Sequence, residues 1–446
     1  MNTFLKQLQL KFGNNDDFFY LQETLLDTPI VRMGFYSLID VVRTKLSLQT
    51  YIKAAADANL TVDEFKNILG DIQNSTAVDD AITCLLQGKL LIYFEKDDSY
   101  VIMEPAPKPL NRAVESPTNE NVFLGSLNSF TEDIETNIGI VRKQLLTDNL
   151  RVKSFKIGSD EITQLSLVYY EGRANRGLIH KLIDQIEKNK HKQTANLQQL
   201  SKKVFGFSSW SLISNFNQTE LPQEAVNSLR KGRAILFVDR LPNALVIPGI
   251  LWDVFCLDSD RNLSLPLMYF LRVLRVLGAF VTIILPGLYV ALVSVNPEVL
   301  RIEMALSIAQ TRIGVPYPAI IEIILMLFVL ELILEASIRL PKNIGPTITM
   351  VGGIILGQAV VQAKLVSNLL IIILAATTIA NSTIVGLQQS LALRISKYVI
   401  VVLAAIFGVL GILEGLVLIC AYIASLNTYG IPFLGLSKEK DEINHG

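Results

Sequence analysis

The chain has 446 residues, 50% of them hydrophobic, and its 40 Lys and Arg against 41 Asp and Glu leave a net charge of -1. That balance lacks the basic excess a nucleic-acid partner requires, and three scattered cysteines, Cys84, Cys256 and Cys420, offer neither a disulfide framework nor a metal site. The charges divide unevenly, 63 in the first 275 residues and 18 in the 171 that follow, so the two parts are suited to two different solvents.

In chain order, the opening MNTFLKQLQLKFGNNDD has no apolar run, which argues against a cleavable signal and for a cytoplasmic soluble part. Residues 1–105 are expected to form a first α/β subdomain. Its clearest signature is GKLLIYFEKDDSYVIM, Gly88 to Met103: a buried strand, a turn at Asp97 and Asp98, and an antiparallel return, preceded by the helical pattern AVDDAITCLLQ. Residues 106–128, most of them in the Pro- and Asn-rich EPAPKPLNRAVESPTNENVFLG from Glu104 to Gly125, read as a linker.

Residues 129–250 read as a second subdomain. It opens with a helix over Thr131 to Leu146, capped by Ser129 with Glu132 closing a capping box, and striped with Ile134, Ile138, Val141 and Leu145. The strand LSLVYYEG and the helix LIHKLIDQI continue a βα alternation. EAVNSLRK and GRAILFVDRLPNALVI, the latter spanning Gly232 to Ile247 with its turn at Pro242 and Asn243, repeat the helix and hairpin of the first unit. The fold class is therefore a cytoplasmic α/β region of two related subdomains followed by an all-α polytopic membrane domain.

Residues 251–275 are an interfacial segment, with the amphipathic LPLMYFLRVLR carrying Tyr269, Arg272 and Arg275. The membrane domain, 276–436, holds about five apolar stretches near the 20 residues that roughly 30 Å of hydrocarbon demands: Val276 to Val295, Ala319 to Arg339, Ile344 to Val361, Leu365 to Thr383 and Tyr398 to Leu418. The third contains Gly345, Pro346, Gly352, Gly353 and Gly357, and either spans or re-enters. Arg272, Arg275, Arg339, Lys342, Arg394 and Lys397 on one side against Arg301, Arg312 and Lys364 on the other favour a cytoplasmic N-terminal region. A polar tail, 437–446, closes the chain.

Ionisable groups inside apolar segments are the candidates for activity, because a charge at the bilayer centre costs at least about 2.5 kcal/mol and turns toward protein or water. Glu322, Glu331, Glu335 and Glu414 qualify. Glu322 follows Pro318, where the helix dipole favours a carboxylate, and Glu335 sits four residues before Arg339, in reach of an ion pair. Glu331 is the deepest and is expected to line a water-filled or intersubunit cavity. Thr349, Gly353 and Gly357, at spacing four, suit close helix packing, with Gln358 and Gln362 on a neighbouring face able to bond across an interface or coat a pore. The histidines His180, His191 and His445 have no ligand spacing, and no phosphate loop or nucleophile elbow is present, so neither catalysis nor a cofactor is expected.

The runs LPGLYVALVSVNPEVL, GVPYPAIIEIILMLFVLELILEASIRLP and GPTITMVGGIILGQAVVQAKLVS, in that order, closely resemble the A-subunit family of bacterial spore germinant receptors. SFTEDIETNIGIVRKQL and GRAILFVD resemble its cytoplasmic half, and the likeness runs from Leu90 to Gly435. The resemblance implies a subunit of the spore inner membrane that works with a permease-like B subunit and a lipoprotein C subunit, oligomerising into a nutrient-gated cation channel. It places Glu322, Glu331 and Glu335 at the family's acidic positions and Arg312 at its loop arginine. Ile313 and Leu327 stand where the family usually has acids, Asn296 replaces a common histidine and Ser126-Leu127 a common Pro-Arg. The alternative is a secondary transporter or permease with a cytoplasmic regulatory domain, in which the same carboxylates bind substrate or protons.

Overall fold

The computed structural model describes residues 3–25, 28–57, 61–74, 78–108, 128–340 and 345–435. Most of the expected linker, Ser126-Leu127, Lys342, Ile344 and the tail 437–446 lie outside them.

The N-terminal half contains two five-stranded antiparallel sheets. The first is built from α1 (Thr3–Phe12), β1 (Phe18–Leu25), β2 (Thr28–Phe35), α2 (Val41–Asp57), α3 (Val62–Leu69), β3 (Asp71–Asn74), α4 (Val78–Leu86), β4 (Leu90–Phe94) and β5 (Ser99–Met103). The second uses α5 (Ile134–Gln144), β6 (Leu150–Ile157), β7 (Thr163–Tyr170), α6 (Arg176–Lys188), α7 (Leu197–Gln199), β8 (Asn217–Thr219), α8 (Pro222–Arg230), β9 (Ala234–Val238) and β10 (Ala244–Ile247). Strand orders are β1-β2-β4-β5-β3 and β6-β7-β9-β10-β8, one path followed twice.

The expected hairpins are both present. β4 and β5 pair from Leu90↔Met103 to Phe94↔Ser99, and β9 and β10 from Ala234↔Ile247 to Phe237↔Ala244. All five residues of LLIYF in β4 are buried, which is why that run is uniformly apolar instead of alternating. Phe4 of α1 stacks on Tyr93 and Tyr100 with ring centroids 5.5 and 5.1 Å away, anchoring the first core. One expectation is corrected: α5 is shorter than Thr131 to Leu146, and Asp133, not Ser129, caps it, accepting the Thr136 N–H at 3.0 Å. A carboxylate at this position answers both an orphan donor and the helix dipole.

The two sheets are joined by the short segment before β1. Asn15 Nδ2 donates to the Leu150 carbonyl at 3.0 Å and the Asp16 N–H to that of Val152 at 3.0 Å, so residues 15–16 lengthen the edge of β6. Asp17 then accepts from Arg142 Nε at 2.6 Å and from Ser37 Oγ at 2.7 Å, with both ion-pair side chains about as buried as core leucines (3% and 4% exposed). The Arg142 guanidinium also lies 4.0 Å over the Phe35 ring.

The C-terminal half is helical: α9 (Leu265–Val290), α10 (Ile302–Thr311), α11 (Ala319–Arg339), α12 (Gly345–Gln362), α13 (Asn368–Asn381), α14 (Leu387–Phe407) and α15 (Val409–Ser425). Among the described residues, two stretches are long and apolar enough to cross a membrane, Leu265–Val295 and Gln388–Phe407. The exposed surface of this half is greasy, with Phe328, Ile372 and Leu410 among many large apolar side chains facing outward.

Three expected boundaries change. The interfacial segment from Leu265 is continuous with the first long helix, because nothing in LPLMYFLRVLRVLGAF breaks the hydrogen-bond ladder. The stretch Tyr398 to Leu418 is not one span: Gly408, at φ 63° and ψ -137°, ends α14 and starts α15, a conformation glycine adopts freely and other residues do not. Across that turn the helices fold back tightly. A Cβ on Gly411 would sit 2.1 Å from the Leu403 carbonyl oxygen, and one on Gly415 3.0 Å from Ile400. Finally, residues after Ser425 leave the bundle. They form a small hairpin, β11 (Asn427–Thr428) with β12 (Ile431–Pro432), seated on the second sheet unit.

If one member of the buried Asp17–Arg142 pair is removed, the other is left charged and unpaired. Asp17→Ala or Arg142→Ala is expected to cost about 3–5 kcal/mol, and the two together much less than the sum. Denaturant melts of the single and double variants check this; additive losses would show that the pair does not act as a unit.

Candidate functional site

Glu322 lies in the first turn of α11 and is fully buried (0% exposed). Its Oε1 accepts the Ser367 backbone N–H at 2.5 Å, and its Oε2 lies 3.4 Å from the Tyr289 hydroxyl and 3.5 Å from Arg312 Nη2. Tyr289 and Ser367 share a further hydrogen bond of 2.9 Å, and Ser367 caps α13 by accepting from the Leu370 N–H. One carboxylate thus ties α9, the turn after α10, α11 and α13 together, with donors replacing the water it has lost.

Glu331, two and a half turns further along, is ion-paired with Arg394 and lies 3.4 Å from Lys397 Nζ, both on α14. Arg394 and Lys397 are 10% and 9% exposed and belong to the helix interior, not to a loop as the charge count over loops assumed. That count loses two of its six members. Glu331 needs no neighbouring copy to be tolerated, since two cations of its own chain face it.

Glu335 makes the expected exposed pair with Arg339 at 2.6 Å. Glu414 is exposed and has no ion-pair partner among the described residues; the Gly411 and Gly415 face of its helix packs on α14 and turns the carboxylate outward. Gln358 and Gln362 are also exposed, and around Gly352, Gly353 and Gly357 no atom lies within 4 Å of an added Cβ. The side chain of Thr349 is outside the described residues. The structure therefore brings Glu322 and Glu331 into separate internal networks and leaves Glu335, Glu414, Gln358 and Gln362 on the surface of the single chain.

Sequence reasoning missed Tyr289, Ser367, Arg394 and Lys397. The last two carried a usable signal, a spacing of three inside LALRISKYVIVV that sets both on one helix face. Tyr289 and Ser367 carried none, being ordinary polar residues in apolar surroundings. Burial pushes the Cys84 and Cys256 thiols up from their usual pKa, which makes poor nucleophiles of them. Among the described residues no group of three His, Cys, Asp or Glu is placed to hold a metal ion.

The class defined by these features is a two-part chain: a sheet-containing N-terminal region and a helical region that is apolar outside and holds paired charges inside. The chain belongs to the GerA family, whose profile, described as Bacillus/Clostridium GerA spore germination protein, matches residues 6–441. It is 33% identical over 396 residues to spore germination protein GerLA of Bacillus cereus, covering 88% of this chain and 79% of that one. It is 29% identical to the uncharacterized membrane protein YfkQ of Bacillus subtilis (strain 168), covering 84% and 73%. Among solved structures, the N-terminal domain of the A subunit of the Bacillus megaterium spore germinant receptor GerK3 aligns with 55% of this chain and 94% of its own length, at 20% identity and a TM-score of 0.41. Relatives that are spore germination proteins support a role in germination.

Replacing Glu322 removes the acceptor that three donors share, the Ser367 N–H, the Tyr289 hydroxyl and Arg312. Glu322→Ala is expected to lower the stability of the purified chain in detergent by about 3–5 kcal/mol, with Glu322→Gln intermediate. Thermal melts read it, and an unchanged midpoint for the alanine variant would remove Glu322 from the structural role argued above.

Proposed function

We propose that this chain is the A-type membrane subunit of a receptor for a germinant nutrient. It assembles with B and C subunits and with copies of itself in the spore inner membrane, and ligand binding opens a cation path through the assembly. The sheet-containing region lies in the cytoplasm. Six helices, α9 and α11 to α15, cross the bilayer, so the polytopic reading becomes one of six crossings.

Contacts along the bundle support that count. Tyr289 meets Ser367 at one end of the pair α9 and α13, while Gly278 approaches Ala380 at the other, so these helices are antiparallel. Gly287 lies against Ile400, the Asn296 side-chain oxygen accepts the Val409 N–H, and α15 folds back along α14. The tail then returns to the second sheet unit, where Tyr422 accepts the Leu212 N–H at 2.9 Å and the Tyr429 hydroxyl donates to the Phe205 carbonyl at 2.6 Å. An even number of crossings follows.

The observation that carries the channel reading is α12. Its glycines present an open face and its two glutamines are exposed, although an amide facing hydrocarbon without a partner costs several kcal/mol. A second copy packing on Gly353 and Gly357 covers that face, and the ring so formed puts Gln358 and Gln362 against water. In this reading Glu322 and Glu331 hold the helices in register, while Glu335 and Glu414 stand at the bundle surface, where a neighbouring subunit or the ion path reaches them.

Spores carrying Gln358→Leu with Gln362→Leu are expected to accumulate the chain normally but release cations on germinant addition about tenfold more slowly, an equivalent of ~1.4 kcal/mol. Ion-selective electrodes measure the release. Wild-type rates in those spores would overturn the assignment of α12, and a reconstituted chain that moves solute with fixed ion stoichiometry would favour a transporter.

A further inference from the structure

Where α9 leaves the second sheet unit, a cavity of about 500 Å³ opens between the start of β9, the turn after β10 and the first turns of the helix. Four cations line it, Lys231, Arg233, Arg261 and Arg272, against two carboxylates, Asp253 and Asp258. Lys231 lies 2.7 Å from Asp258 and Arg233 2.7 Å from Asp253, so those charges are matched. Arg272 is not. The carboxylate nearest to it, Asp260, stands 3.8 Å from its Nε and is held by Arg275 through contacts of 2.5 and 2.9 Å. Among the described residues Arg272 makes no hydrogen bond, and the cavity keeps an excess of positive charge.

The remaining wall is apolar and aromatic. Tyr269, Val273, Val276 and Leu277 fall on the same side of α9 as Arg272, and Trp252 adds a second aromatic rim. Tyr269 is 60% exposed, Val273 56%, Leu277 55% and Trp252 43%. Toward water such a surface gains nothing. At the depth of lipid headgroups it does, since amphipathic rings and arginine stems settle where one end is wet and the other greasy.

We propose that this cavity binds the headgroup of an anionic phospholipid, with the phosphate on the Arg272 guanidinium and the acyl chains along Val273, Val276 and Leu277. A zwitterionic headgroup carries a cationic amine into a site already rich in cations and is disfavoured, whereas phosphatidylglycerol matches its sign. Arg261 adds to the field from the facing turn. The inference rests on the membrane placement of α9 argued under the proposed function, and it adds a ligand that neither germinant nor ion supplies.

The chain has two tryptophans, so Trp210→Phe leaves Trp252 as a local reporter. The full chain with that substitution, reconstituted in phosphatidylcholine vesicles, is titrated with brominated phosphatidylglycerol or brominated phosphatidylcholine, and Trp252 quenching is recorded. The expected result is preferential quenching by the anionic lipid, a preference reduced about fivefold by Arg272→Gln and largely kept by Arg272→Lys. Equal quenching by both lipids, or loss of the preference in excess inorganic phosphate, overturns the lipid site while leaving the membrane placement standing. Failure of the chain to enter the vesicles overturns both.

Discussion

A carboxylate inside an apolar bundle must be surrounded by donors, and most of the helical half is arranged around meeting that demand. Glu322 draws three segments onto α11 because each supplies something it lacks: a backbone N–H from the start of α13, a hydroxyl from α9 and a guanidinium from the turn before α11. Removing water from such a group costs far more than any one of these contacts returns, so the helices have no freedom to drift apart and leave it bare. Glu331 imposes the same condition on α11 and α14, here with two cations to one anion. The helix register is thus fixed by polar groups, while the large apolar side chains, which pack nearly as well in neighbouring registers, fill the space between.

Much of the sheet region is legible in the sequence because its signals are local. A run of apolar residues, a turn with acids or Pro-Asn, and an apolar return define a hairpin within 16 residues, and both such hairpins stand where the pattern puts them. The cap of α5 was misassigned because SFTED offers several capping side chains in succession, and only the backbone conformation at Asp133 selects among them. The docking of the two sheets is a different matter. Asn15 to Asp17 lie in a short polar stretch with no pattern of its own, and their partners Leu150, Val152 and Arg142 lie more than a hundred residues away.

The helical half is legible in composition and much less so in detail. Hydropathy averages over a window, and a single glycine at φ 63° is invisible to it, so the hairpin of α14 and α15 looked like one span. The small-residue pattern also pointed to one helix of several. Gly353 and Gly357 share the spacing of Gly411 and Gly415, yet among the described residues only the second pair has a helix pressed against it. Spacing alone reports that close approach is permitted; it does not report which neighbour arrives. The acids are conspicuous as charges in an apolar run, whereas their partners Arg394 and Lys397 stand at the polar start of α14, where hydropathy alone does not separate a helix from the loop before it.

Both ends of the helical half are fastened to the same sheet unit, and this bears on how a signal passes between the two halves. At the entry, Arg275 is held by Asp260 and by the Phe255 carbonyl at 3.1 Å, in a segment that Lys231 and Arg233 tie to the sheet unit through Asp258 and Asp253 at 2.7 Å each. At the exit, Lys181 bonds the Tyr429 carbonyl at 3.2 Å, Asn215 bonds Thr428 at 3.1 Å, and the Leu251 N–H donates to Phe433 at 2.9 Å. Burial pushes the Tyr429 phenol above its usual pKa, so it stays a donor to Phe205 throughout the physiological range. A shift of α9 against α15 therefore loads the second sheet at two points, and the load reaches the first sheet through Asp17, the strand edge beside it, and the contacts of Lys11 with Asp148 at 2.6 Å and Arg151 with the Lys11 carbonyl at 2.7 Å. Two attachments to the helices at one unit, and a docking of the next unit along α5 and β6, set the path by which a displacement of the helices reaches the first sheet.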